Sequence, residues 1–241
     1  MLATIPYCGP GPVPGEIWGR WNLDPYLLTG MALLLAWAAF RPGAGERRMA
    51  LGAWAVLFLA FVSPLCALAS ALFSARVTHH MLLIVVAAPL LVAGGLRVRR
   101  GLGLAVPLHI LAVWLWHAPP PYAAALAHDG IYWLMQLTLL GSAIWFWSAA
   151  LGRGRDSLAA VGALLVGMVQ MGLLGALITF APEPLYAAHL GTTAPWGLSA
   201  LEDQQLAGLI MWVPASLAYL FPALLRAGHW LEAGAAPRRE S

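Results

Sequence analysis

Seven apolar runs, separated by short polar or proline- and glycine-rich stretches, organise the chain: Leu23–Phe40, Met49–Phe73, Thr78–Gly95, Gly101–His117, Gly130–Leu151, Ser157–Ala181 and Asp203–Arg226. Each is close to the ~20 residues a helix needs to cross a ~30 Å hydrocarbon core. The pattern predicts an all-α integral membrane protein, a bundle of seven transmembrane helices. It divides the chain into an outer N-terminal tail over 1–22, a membrane domain over 23–226 and a cytoplasmic C-terminal tail over 227–241.

Charge gives the bundle a direction. All thirteen basic residues are arginine and none is lysine. Arg41, Arg47 and Arg48 follow the first run, Arg97, Arg99 and Arg100 the third, Arg153 and Arg155 the fifth, and Arg226, Arg238 and Arg239 the seventh. Only Arg20 and Arg76 fall on the other side. Positive charge stays in the cytoplasm, so the N-terminus is expected outside and the C-terminus inside. The short fourth run has to cross, because otherwise the loop at Arg153 would lie opposite the loop at Arg97 and the sorting would collapse.

Composition agrees: 61% of residues are hydrophobic and 10% charged, more apolar than an ordinary soluble domain. The net charge of +3 comes without a basic patch interleaved with aromatics, so no nucleic-acid partner is expected. Residues 1–22 lack the basic and apolar regions of a cleaved signal peptide and read as an outer tail. Without lysine there is no retinal Schiff base. No Cys-x-x-Cys, HExxH or glycine-rich phosphate loop occurs, which removes zinc-finger, metalloprotease and nucleotide-binding readings. Cys8 and Cys66 both fall on the outer side, where disulfides persist. They are read here as small hydrophobes, with a bridge between them as the alternative.

The long connections, about Ala118–Asp129 and Pro182–Glu202, are both outer, the face where function is expected. Gly162, Gly167, Gly172 and Gly175 in the sixth run suit close helix packing, with Met168 and Met171 as filler. Pro64, Pro89, Pro214 and Pro222 predict local kinks. Trp145 and Trp147 suit an interfacial belt.

Candidate chemistry gathers at the outer rim. Thr78-His79-His80-Met81 opens the third run, and Trp116-His117 closes the fourth just before Pro119-Pro120-Pro121-Tyr122. His128 and His189 lie in the long outer loops, His128 as a solvated residue. Gln204, Gly208 and Met211, at i, i+4 and i+7, share one stripe of the seventh helix. Histidine at a membrane interface is ordinary. As a set, however, imidazoles with thioethers form a donor mixture that suits copper, with methionine favouring Cu(I).

These motifs resemble the CtaG-like cytochrome c oxidase assembly factors. Ser63-Pro64-Leu65, His80-Met81-Leu82-Leu83 leading to Ala88-Pro89-Leu90-Leu91, and Trp116-His117-Ala118-Pro119 with Tyr122 carry the resemblance. Thr179-Phe180-Ala181-Pro182 to Tyr186 and Leu201-Glu202-Asp203-Gln204-Gln205 running to Gly208-Leu209-Ile210-Met211-Trp212 extend it over about residues 15–226. It implies a multi-pass protein of the bacterial inner membrane, not an enzyme, that helps deliver copper to a haem-copper oxidase. Relatives often carry histidine where Arg76 stands and in the fifth helix where Gln136 aligns, with Tyr132 one turn earlier.

The expected copper ligands are His80 and His117, then His79 and Met211, then Met81, with Asp203, Gln204 and Tyr122 orienting them. Oxidase subunits or a periplasmic copper chaperone are the expected partners. Two other readings stay open. One is a metal-free scaffold for oxidase subunits. The other is a haem protein, for which only His109 lies at suitable depth.

Overall fold

The structure, a computed structural model, describes residues 6–98, 101–152 and 157–235, and all regular structure among them is helical. Arg99, Arg100, Arg153, Arg155, Arg238 and Arg239 of the charge count lie outside the described residues. The helices are α1 Pro25–Ala39, α2 Ala44–Phe61, α3 Leu65–Ala71, α4 Phe73–Met81, α5 Ala88–Ala93, α6 Leu102–His117, α7 Pro119–Ala127, α8 Asp129–Ala150, α9 Ser157–Thr179, α10 Ala200–Ile210 and α11 Ser216–Ala235. Continuous through π-helical turns at Leu82–Ala87 and Met211–Ala215, α4–α5 and α10–α11 each act as one rod. By length and composition three helices can cross a membrane: Phe73–Ala93, Leu158–Thr179 and Ala200–Glu232. Counting the bent pairs α2–α3 and α6–α7 as single spans raises this to five.

Several boundaries differ from the sequence expectation, each for a local reason. The second run does not continue to Phe73, because Pro64 lacks the N–H an unbroken helix needs and the chain bends by 43° before α3. The outer connection after His117 is helical, not a loop. Pro119–Pro121 fill the first turn of α7, where a missing N–H costs nothing, and α7 folds 72° away from α6. The third span begins at Phe73, five residues earlier than expected, and α11 continues nine residues past Arg226.

Pro89 shows how a broken ladder is repaired. In the widened π register its absent N–H would have met the carbonyl of Ile84, and the indole N–H of Trp147 donates there instead at 2.7 Å. Trp147 is therefore a core residue and not part of an interfacial belt. Just beyond Trp147, at the C-terminus of α8, the Arg226 guanidinium donates to the carbonyls of Ala150 and Gly152, closing that helix end with a cation.

Packing forms two large apolar cores and a small cluster of Ala71, Leu72 and Ala75. The larger joins α4, α6, α8, α9 and α10 around Tyr132, Met135, Leu139 and Phe146, and the smaller joins α1 and α2 to the first π turn through Leu57, Phe61 and Leu83. At the crossing of α9 and α10 the backbones nearly touch. A Cβ on Gly208 would sit 2.6 Å from the carbonyl oxygen of Gly175, so only glycine fits. Gly162 faces open space and has no such role.

The two cysteines are not separate hydrophobes. Cys8 and Cys66 form a disulfide across a sequence separation of 58. In the chain-entropy picture, closing a loop of that size stabilises the fold by about 4 kcal/mol. It pins the N-terminal segment to α3, and Tyr7 stacks on Tyr132 at 4.8 Å.

Candidate functional site

The α4 N-terminus organises the site. Asp203 of α10, fully buried, accepts from the Phe73 N–H at 2.6 Å, the Ser74 N–H at 3.2 Å and the Ser74 hydroxyl. It thus supplies, from 130 residues away, the cap that Leu72 at the N-cap position cannot. This cap is why the span starts early. His80 consequently lies roughly 10 Å along the helix from its start, at 1.5 Å per residue, not in the first turn.

His80 and His117 do meet. His80 Nδ1 lies 3.5 Å from His117 Nε2, the rings are perpendicular with centroids 5.2 Å apart, and both residues are buried. His117 Nδ1–H donates to the carbonyl of Val113 at 2.7 Å, which leaves its Nε2 lone pair facing His80. The hydroxyl of Tyr186 donates to the His117 carbonyl at 2.7 Å and holds the end of α6. His80 Nε2 has no hydrogen-bond partner. Met81 and Met211 are buried in the same apolar core. Gln204 and Met211 are both buried on one side of the α10 rod, as their spacing required.

Other expected site residues are placed differently. His79 turns away from the pair, edge-on to Phe61 at 4.8 Å, with neither ring nitrogen bonded. Asp203 and Gln204 do not orient imidazoles. Gln204 Oε1 accepts from the Leu185 N–H at 2.6 Å, and its amide donates to the carbonyls of Ile178 and Glu183, fastening the outer loop to α10. A helix start and a loop each leave backbone groups unpaired, and these two side chains satisfy them. The Tyr122 hydroxyl serves His189 instead of His117, donating to His189 Nε2 at 2.7 Å, while His189 Nδ1–H donates to the Ala71 carbonyl at 3.2 Å.

His189 is the residue the sequence reading undervalued. It is 2% exposed although it lies in a long connection, and burial pushes its pKa down to about 4, against the Ala71 carbonyl, which favours the charged ring. It is a neutral plug locking the outer loop over α3. No short-range signal marks it, since its partners are 67 and 118 residues away. His128 is exposed, as expected.

At mid-depth His109 is fully engaged. Ser142 Oγ donates to the Leu139 carbonyl and so accepts from His109 Nδ1–H at 3.2 Å, while Tyr219 donates to His109 Nε2 at 2.8 Å. An axial haem ligand needs a free nitrogen, and His109 offers none without breaking this network.

Among the described residues no group of three or more His, Cys, Asp or Glu side chains converges as a metal site. A copper ion on the histidine pair would take further donors from thioethers or from the protein that exchanges it.

Fold and site together define a helical membrane protein with a buried imidazole pair beside a helix start capped by Asp203. A family model described as cytochrome c oxidase caa3 assembly factor matches residues 97–233, more than half of the chain, and the chain belongs to that family. The matched segment contains His117, Tyr122, Asp203, Gln204 and Met211 and begins after His79, His80 and Met81. No curated protein and no solved structure matches the chain. The protein is thus a member of an oxidase assembly-factor family, whose role points away from catalysis.

Proposed function

We propose that the protein carries copper for the assembly of a haem-copper oxidase, holding Cu(I) as cargo between His80 and His117 near the outer face of the bacterial inner membrane. The observation that supports this is the convergence of His80 Nδ1 and His117 Nε2 to 3.5 Å inside an apolar, methionine-containing core. With metal–imidazole bonds of about 2.0–2.1 Å, donors that far apart bracket an ion at an angle of roughly 120°. A neutral, poorly solvated nest with thioethers nearby favours the softer cuprous ion. The copper would come from, or pass to, oxidase subunits or a periplasmic copper chaperone. Anaerobically purified protein supplied with Cu(I) is expected to retain one ion per chain. Retention of none would leave the metal-free scaffold reading.

The same proposal includes seven crossings: α1, α2–α3, α4–α5, α6–α7, α8, α9 and α10–α11. The arginine asymmetry and the Cys8–Cys66 bridge both support an N-terminus outside, since disulfides persist in the periplasm. Single-cysteine labelling tests this. In intact cells Gly191→Cys is expected to react with an impermeant thiol reagent and Arg48→Cys to remain protected. The reverse pattern overturns the orientation.

A further inference from the structure

Beneath the outer rim, next to the histidine pair, lies a charge without a counter-charge. Arg76 is fully buried, and although Nε donates to the Ala69 carbonyl at 3.2 Å, neither Nη1 nor Nη2 has a hydrogen-bond partner. None of the ion pairs among the described residues involves it. The buried acid that α10 brings against α4, Asp203, spends both carboxylate oxygens on the start of α4. A guanidinium cannot shed its proton to escape this cost, unlike a buried lysine or histidine. Leaving it unpaired in a low-dielectric interior is strongly destabilising.

The unpaired donors around it belong to one neighbourhood. Arg76, His79 and His80 are spaced i, i+3 and i+4 on α4, and His79 and His80 are near enough to feel the guanidinium charge. From α8, Gln136 is 1% exposed with both amide atoms unbonded. The Arg76 guanidinium comes near the hydroxyls of Tyr122 and Tyr132, and Gln136 near that of Tyr132, without a hydrogen bond of normal geometry to either. The guanidinium carbon lies 5.4 Å from the Tyr132 ring centroid. Water can satisfy an amide or an imidazole, but it does not neutralise a cation.

We propose that Arg76, Gln136 and His79 form a buried binding site for a small monovalent anion, either a halide or a carboxylate group. The guanidinium supplies the charge and two donors in a fixed fork, and the Gln136 amide and a His79 N–H complete the shell. An anion there also offsets the repulsion that Arg76 exerts on any cation at the neighbouring imidazoles. The site stands without the copper reading, because its occupant is an anion and its test contains no metal.

The experiment uses the purified full-length chain in detergent at constant ionic strength, with sodium gluconate as the bulky, non-entering salt. Sodium chloride and sodium formate are titrated separately while the melting temperature is followed, and radioactive chloride is counted at equilibrium. The expected result is a saturable rise in melting temperature with one bound chloride per chain. Saturation by formate but not chloride supports the same site with a carboxylate, donated by a partner chain, as its natural occupant. Arg76→Gln is expected to be insensitive to both salts and at least as stable in gluconate as the unmodified protein, because it removes an unpaired charge. If Arg76→Gln does not fold, Arg76→Lys replaces it: the charge stays, the fork is lost, and binding should weaken at least tenfold. The proposal is overturned if the unmodified protein responds to neither anion, or if the Arg76 variant binds as tightly as the unmodified protein.

Discussion

His80→Ala and His117→Ala are each expected to lower copper affinity by roughly tenfold or more, since even outer partners of metal ligands are typically worth 10–100-fold. Each replacement removes one of two nitrogens that converge at 3.5 Å. Both side chains are buried, so truncation also opens a cavity. The volume-conserving His80→Gln and His117→Gln should therefore show the same copper loss with better abundance. His128→Ala, at an exposed residue between α7 and α8, should leave copper unchanged. In cells the oxidase should be made but copper-deficient, with activity partly restored by added copper. Protein abundance, bound copper and oxidase activity measured together decide it. Full copper and full oxidase activity at normal abundance would falsify the metal role and leave the scaffold.

Asp203→Ala is expected to be the most destabilising single change at the site, by on the order of 3–5 kcal/mol. It strips two buried backbone N–H groups and the Ser74 hydroxyl of their acceptor, and removes the only side-chain cap α4 has. Asp203→Asn retains one acceptor oxygen and should fall between Ala and the unmodified protein. Ser74→Ala, losing one neutral partner, should cost about 1 kcal/mol. Thermal unfolding in detergent gives the order directly. Near-normal stability for Asp203→Ala, combined with loss of copper, would show that Asp203 acts on the imidazoles and not on the helix start.

The parts of this architecture that were legible in advance share a short range. An apolar run of about twenty residues announces a helix wherever it occurs, and the Gln204/Met211 stripe follows from 3.6 residues per turn. His80 and His117 were singled out because each lies near the outer end of a neighbouring antiparallel run. The errors came where a proline or a distant side chain set the boundary. Pro64 ends α2 early, Pro119–Pro121 start a helix where a loop was expected, and Asp203 moves the start of α4 to Phe73. His79, about 100° round the helix from His80, lies edge-on to Phe61 at 4.8 Å and 6.0 Å from the His80 ring.

Sequence alone determined the class of protein, its apolar segments, the arginine asymmetry and the histidines worth pairing. These follow from solvent partitioning and helical period, which act over windows of a few turns. Tertiary structure decided which polar groups would end up without water. It joined Cys8 to Cys66, assigned Asp203 to a helix start 130 residues away and gave Tyr122 to His189. It also left the guanidinium of Arg76 buried beside His80. Those outcomes depend on long-range neighbours, because a buried donor or acceptor bonds whatever the packed bundle brings within 3 Å of it, and no local pattern encodes which group that will be.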